Sequence, residues 1–303
     1  MIKHQVANSG NIGFFAKSPP LIDLAKMISE DLNCKNATAL NVYVGIHQWR
    51  HDKLPRSRVN IGVQTEQYFD QNGKRLWGLR SDFDPHIYVA KFDVVLDLSR
   101  FNAKAYERVK GIDKVLFGPY IFPQSERQFK GPESDEIVFI GTNKYRRTSI
   151  IAAMKLQTDW NIKVISDQYF DQSRSTIEKC IGLLNVHYQE GVYAEWPRIL
   201  MAYKSGKPLL SEPLGEPMDE GVHYYGLDQD VSMLDGISVF GRINADIATK
   251  YRFIDFLSQA HLVKTVSVWG ESKAAFYNMM RSVFRVRDMS SVVNSPQHPA
   301  IHR

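Results

Sequence analysis

From Leu183 to Glu212 the chain reads LLNVHYQEGVYAEWPRILMAYKSGKPLLSE, and this order narrows the fold more than any other stretch. Leu183 to Val186 has the length and composition of a buried strand, and a polar mouth follows from His187 to Glu190. Apolar residues then recur at helical spacing from about Tyr193 to Lys204, Gly206 stops the helix, and Pro208 to Ser211 is apolar again. The pattern predicts a strand, helix, strand crossover. In a parallel sheet the polar ends of such strands open on one edge, where a helix N-terminus also offers unpaired N–H groups, so anionic ligands collect there. His187, Tyr188, Glu190 and Arg198 on one side, with Ser211 and Glu212 on the other, are expected to face one crevice.

The same alternation runs through the rest of the chain. Asn11 to Phe15 reads as a strand, Ser18-Pro19-Pro20 as a helix start, and LIDLAKMISEDL places Leu21, Leu24, Ile28 and Leu32 on one helical face. Leu40 to Ile46, the strand that begins at Val59, Phe92 to Leu98 and Lys114 to Phe122 are further apolar strands, with Ser99 as the expected cap of a helix over 100–109. The Val59 strand ends in Gln64, Thr65 and Glu66, polar groups at the edge where α/β sheets meet their substrates. A polar segment with two prolines and a glycine, PQSERQFKGPESDE, marks a linker and a boundary near residue 132.

EIVFIG at Glu136 restarts the pattern and runs through GTNKYRRTS into an apolar helix. A strand that ends in Gly and turns into a helix lets backbone N–H groups approach a phosphate, and Lys144, Arg146 and Arg147 add charge around Gly141. Asn161 to Ser166 is another strand and Ser173 to Cys180 a helix, with later helices over 243–262 and 272–285 and a tail, 288–303, without periodicity. The fold class is therefore α/β, with two Rossmann-like domains, 1–132 and 133–287, facing each other across a cleft.

Length and composition agree with this division. A chain of 303 residues, 44% hydrophobic and 23% charged, is globular and long enough for two cores. The formal charge of +5 is uneven: 19 Lys and Arg stand against 13 Asp and Glu in residues 1–132, and 19 against 20 in the remainder. A basic first half suits a polyanionic partner or a peripheral contact with anionic lipid. Cys34 and Cys180 lack the spacing of a zinc or redox pair, which points to a reducing, cytoplasmic setting. No apolar run reaches the roughly 20 residues of a membrane span.

The order NVHY, a Gly-containing loop and EWPRILMAYKSGKPLLSE resembles the donor-binding half of GT-B glycosyltransferases, in particular the CgeB-like and group 1 families, over about 136–228. Arg198 falls where the CgeB-like pattern has its Arg and Gly206 where the helix ends. Met201, however, occupies the position of the second Glu of the group 1 carboxylate pair. The resemblance implies a metal-independent glycosyltransferase that moves a sugar from a nucleotide-sugar to a saccharide, lipid-linked or protein acceptor, with no cofactor and no nucleic-acid partner. Its donor would meet Gly141, Lys144, Arg146, His187, Tyr188, Glu190, Arg198, Ser211 and Glu212; Gln64 and Thr65 would lie on the acceptor side. For an inverting transfer, Glu66 and His47, both at expected strand ends, are the candidate bases. Such a protein would work in the cytoplasm, free or at the inner membrane face.

Plainer readings stand beside these. Asp82-Phe83-Asp84 precedes a proline and reads as a surface turn more readily than as a metal site, and Trp196 and Tyr203 read as core packing. Neither a Gly-x-Ser-x-Gly elbow nor an H-E-x-x-H pair is present to suggest a hydrolase. The alternatives are a non-catalytic nucleotide-sugar or glycan-binding module with a decayed donor site, suggested by Met201, and a nucleotide-sugar epimerase.

Overall fold

The computed structural model describes residues 4–30, 32, 39–76, 84–166, 168, 170–229 and 235–258. All of these belong to one compact unit, Met1–Ala260. The expected helix at 272–285, the tail at 288–303, Cys34, Asp82 and Phe83 lie outside the described residues.

Strands β1 (Gln5–Ser9), β2 (Ile12–Phe15), β3 (Leu40–Val44), β4 (Val59–Gln64), β5 (Val94–Asp97) and β6 (Val115–Phe117) form a first sheet in that spatial order. Only the β1–β2 hairpin is antiparallel; every later pair is parallel. Between the strands lie α1 (Pro19–Ser29), α2 (Pro85–Lys91) and the short α3 (Ala103–Tyr106). Tyr43, Trp49, Tyr88, Phe92 and Tyr106 fill one core, and all five are almost fully buried. The polar opening residues concealed β1, whose side chains are largely exposed.

A second, wholly parallel sheet contains β7 (Glu136–Ile140), β8 (Asn161–Ile165), β9 (Gly182–Asn185) and β10 (Leu209–Ser211) in the order β10-β9-β7-β8. Helices α4 (Arg146–Gln157), α5 (Phe170–Lys179) and α6 (Trp196–Lys204) connect its strands. The strand order decides where a ligand can enter. In the first sheet the order never reverses. In the second, the chain leaves β7 for β8 on one side and then crosses to β9 on the other, creating a crevice at the carboxyl ends of β7 and β9, the switch point where open α/β sheets bind ligands.

Helix α1 ties the two layers together. Asp23 accepts from the Phe170 N–H at 2.6 Å, Lys26 pairs with Asp171 at 2.6 Å, and Lys204, 1% exposed at its side chain, reaches the Met27 carbonyl at 2.6 Å and Glu30 at 2.7 Å. Further along, the Phe253 N–H donates to the Phe122 carbonyl, and its ring lies 5.9 Å from that of Phe14 in the first sheet.

Helices α4 and α5 each begin about three residues earlier than expected, at Arg146 and Phe170, and three further helices differ for local reasons. The crossover helix begins at Trp196 rather than Tyr193, because Pro197 belongs in a first turn and Tyr193 is stacked on His187. The helix expected over 100–109 is a 3-10 turn followed by α3. Ser99 makes no side-chain cap, and the Asn102 amide is drawn instead to Asp97 and the Glu66 carbonyl. The helix expected over 243–262 starts earlier as α7 (Gly236–Arg242), where the Asp235 side chain caps Ser238, continues as a π-helical turn over Ile243–Ala248, and breaks where Tyr251 and Arg252 meet Phe122. Helix α2 went unanticipated; its N-cap is Asp84, whose carboxylate accepts from the His86 N–H at 2.9 Å.

Gly206 ends α6 at φ +69°, and a Cβ there would lie 2.4 Å from the Gln128 carbonyl oxygen and 3.0 Å from the Lys130 nitrogen. Both are backbone atoms that cannot swing aside. Gly206→Ala is therefore expected to destabilise the fold by more than about 1 kcal/mol, read as a lowered urea midpoint.

Candidate functional site

The switch-point crevice is built around a buried ionic cluster. Arg198, in the first turn of α6, donates to Glu195 at 2.6 Å, to Asn185 at the end of β9, and to the Ile140 carbonyl at the end of β7 at 3.2 Å. Arg147 in α4 donates to both Glu195 oxygens at 2.8 and 3.0 Å and to the Val186 carbonyl at 2.8 Å. The two guanidinium groups also lie over the Phe139 ring, 5.1 and 5.7 Å from its centroid. Burial alone would push the Glu195 carboxyl up, but the charges of Arg198 and Arg147 outweigh it and hold the group below the ordinary carboxylate range.

Gly141 allows this arrangement. It has φ +133°, and a Cβ would come within 3.1 Å of the Arg198 guanidinium. The turn after β7 and the stretch from His187 to Arg198 therefore line the same wall.

A second pair closes the outer rim. Arg146 forms a two-point ion pair with Glu212 and donates to the His187 carbonyl at 3.0 Å, while Glu212 accepts from the His187 N–H at 2.7 Å. Burial would raise Glu212 as well, yet the Arg146 and His187 bonds bring it below the usual range. Ser211, fully buried, receives the Asn185 amide at 2.7 Å and donates to the Glu212 carbonyl at 2.6 Å. His187 is 1% exposed, stacks on Tyr193 at 4.1 Å and contacts the Gly191 carbonyl through Nδ1 at 3.1 Å. Burial holds its imidazole below the ordinary histidine value. Its Nε2 has no hydrogen-bond partner among the described residues. Tyr188 is half-buried, with Arg147 over its ring, whereas Lys144 and Glu190 are exposed at the mouth.

The structure thus brings Gly141, Arg146, His187, Tyr188, Arg198, Ser211 and Glu212 into one region. Sequence reasoning missed Glu195 and Asn185, the two groups that orient Arg198. The signal for Glu195 was available: a carboxylate three residues before an Arg at a helix start meets it across the first turn.

On the first sheet, the acceptor-side candidates follow the carboxyl ends of β3 and β4. Gln64 is fully buried and spends its amide locally, donating to the Tyr68 hydroxyl at 2.7 Å and accepting from the Glu66 N–H at 3.2 Å. Thr65, Glu66 and His47 are half-buried, His47 on a 3-10 turn. Asp97, another group the sequence reading passed over, ends β5 with no exposure. It accepts from the Ser99 N–H at 2.9 Å, the Asn102 amide at 3.0 Å and the Tyr106 hydroxyl at 3.1 Å. Asn102 in turn holds the Glu66 carbonyl and the Tyr68 N–H, so this pair sets the backbone that carries Glu66.

The carboxyl edges of the two sheets meet through their loops. The Gln71 N–H donates to the Val192 carbonyl at 3.1 Å, Arg100 pairs with Glu216, and Leu76 lies against Gly191. The cavity left between Leu98 to Phe101 on one side and Ala194, Trp196 and Glu216 on the other is about 50 Å³. Pockets for small organic ligands run to roughly 300–1,000 Å³, so this cavity is smaller than such a ligand needs.

The chain is similar to several solved structures. TarM aligns with a TM-score of 0.48 at 11% identity, over 79% of this chain and 58% of its own, so the chain spans little more than half of that protein. AviGT4, a glycosyltransferase involved in avilamycin A biosynthesis, aligns at 0.42 and 11%, over 83% and 89%. A UDP-N-acetylglucosamine 2-epimerase aligns at 0.30 and 13%, over 80% and 71%. No protein-family description and no curated protein sequence matches the chain. At these levels the likenesses carry no chemistry over to this chain, and its function has to be argued from its own residues.

Two outcomes follow from the buried groups. Arg198→Met leaves the half-buried Glu195 carboxylate with one partner fewer and is expected to destabilise the fold by about 1–3 kcal/mol, measurable by denaturant unfolding. Asp97 is pushed up to about 7 by burial, against the bonds from Ser99, Asn102 and Tyr106. Between its ordinary 3.8 and about 7 the folded chain keeps a proton that the unfolded chain has released. Its contribution to stability therefore falls as pH rises through that window. Asp97→Asn is expected to flatten that slope in pH-dependent melting.

Proposed function

We propose that this chain is a glycosyltransferase of the GT-B plan, with the second sheet, from about residue 133, holding a nucleotide-sugar donor and the first sheet, 1–132, presenting the acceptor. The observation that carries the reading is the switch point itself: three arginines and two carboxylates converge where the strand order reverses, beside a glycine turn that leads into the twelve-residue helix α4. A departing nucleoside diphosphate needs positive charge and oriented N–H groups where its charge develops. Lys144, Arg146 and the first turn of α4 offer both at the mouth. Arg198 serves differently: it is engaged on all sides, and in this reading it shapes the Gly141 turn while Arg146 exchanges Glu212 for phosphate oxygens. Glu66 or His47 would take the acceptor proton in an inverting transfer. The acceptor would be a saccharide, lipid-linked or protein group, and the basic first domain suits one held at an anionic membrane surface.

A second reading, a binding module without turnover, is favoured by Met201 at the position of the second clasp carboxylate and by the engagement of both Arg146 and Arg198 with glutamates. Calorimetric titration with nucleoside diphosphates, alongside a nucleotide-sugar turnover assay, separates the two. The expected result is saturable binding that Arg146→Gln weakens about 10- to 100-fold, the worth of a charged hydrogen-bonded contact, together with donor turnover. Binding without turnover would favour the module. Absence of binding by any nucleoside diphosphate at millimolar concentration would end both.

A further inference from the structure

At the opposite end of the first sheet lies a cavity of about 290 Å³ that the donor and acceptor reading does not use. Asn41 is the second residue of β3, at its amino end, while Gln64 to Glu66 follow the carboxyl end of the neighbouring β4. Asn41 pairs in register with Asn60 of β4, whose strand runs on for four residues to Gln64. At about 3.3 Å per residue Asn41, at the floor of the cavity, therefore lies some 13 Å from Gln64 along the sheet.

Its lining has a consistent chemistry. Gln5, Asn8, Asn11 and Asn41 contribute side-chain amides, Arg58 contributes a guanidinium, and Phe15 and Pro55 give the apolar wall. Among the described residues no carboxylate lines it. Gln5 donates to the Asn8 side-chain oxygen at 2.8 Å, which turns the Asn8 NH2 group, a double donor, toward an incoming acceptor such as a sugar hydroxyl. Arg58 is exposed at the rim and pairs best with a planar anion.

The floor is a polar group left short of good partners. Asn41 is 2% exposed, yet its amide reaches the Tyr43 hydroxyl and the Asn60 oxygen only at 3.3 Å, and Arg58 reaches its oxygen only at 3.5 Å. Ordinary N–H···O bonds cluster near 2.9–3.0 Å. By contrast, the Asn60 amide holds the Pro55 carbonyl at 2.7 Å. Gly13 keeps the floor open, since a Cβ there would sit 2.9 Å from the Phe15 ring and 3.5 Å from the Asn41 oxygen.

We propose that this cavity is an accessory site for one anionic sugar unit, a uronate, whose hydroxyls meet the Asn8 and Asn41 amides and whose carboxylate meets Arg58. The site does not depend on glycosyl transfer, and it would stand if the donor crevice bound nothing.

The test is calorimetry and ligand-observed NMR on the full chain with glucuronate, glucose and inorganic phosphate. Glucuronate is expected to bind saturably in the millimolar range, at least tenfold more tightly than either glucose or phosphate. Arg58→Gln and Asn8→Ala, both exposed positions, should each weaken it tenfold or more with an unchanged melting temperature, and Arg146→Gln should leave it unaltered. Phosphate binding as tightly as glucuronate would reduce the cavity to a simple anion site and overturn the proposal. So would the absence of saturable glucuronate binding, or binding indifferent to both Arg58→Gln and Asn8→Ala.

Discussion

Glu195, held between Arg147 and Arg198, is the contact on which the second half of the molecule depends. Through its two arginines it joins the end of β7, the end of β9, the first turn of α4 and the first turn of α6. Two largely buried guanidinium groups and one half-buried carboxylate carry an unbalanced positive charge, which is costly unless the remaining N–H groups are engaged. Here the Ile140 and Val186 carbonyls, the Asn185 oxygen and the face of Phe139 do so. The arrangement also needs a residue without a side chain at 141, because the Arg198 guanidinium occupies the space a Cβ would take. Conformation, charge and packing therefore converge on one turn.

Topology gives that cluster its place. A parallel sheet whose order never reverses closes along its whole carboxyl edge, whereas one that reverses splits into a crevice between the two central strands. The second sheet reverses between β7 and β9, and the charged residues sit there. Helix α1 links the layers through Asp23, Lys26 and Glu30, each engaged by a residue of α5 or α6 or the turn before them. The loops that bring the two edges together, by contrast, are joined by an exposed ion pair and a backbone bond. Exposed pairs contribute little, so this junction is held less firmly than the one through α1.

The strands were legible where apolar residues clustered: β2 to β8 and β10 fall within the stretches marked in the sequence, and β9 begins one residue earlier, at Gly182. What sequence reading missed lay where tertiary partners overrode local preference. Strand β1 is polar because it sits at a sheet edge, and it exists because β2 offers it a hydrogen-bonding edge. Asn102 left its helix to hold the Glu66 and Tyr68 backbone. The helix beyond Ile243 broke because Phe122, more than a hundred residues earlier, took up the Tyr251 carbonyl.

Sequence by itself determined the α/β class, the crossover from Leu183 to Glu212, the glycine stops and the basic turn after Gly141, because each is written in local spacing and in residues with restricted conformations. Only the tertiary structure decided which charges neutralise one another. It assigned Glu195 to two arginines, Glu212 to Arg146 and Asp97 to a buried niche among Ser99, Asn102 and Tyr106. Ionic partnership depends on distance and burial, and neither is encoded in the spacing of residues along a chain that crosses a sheet between them.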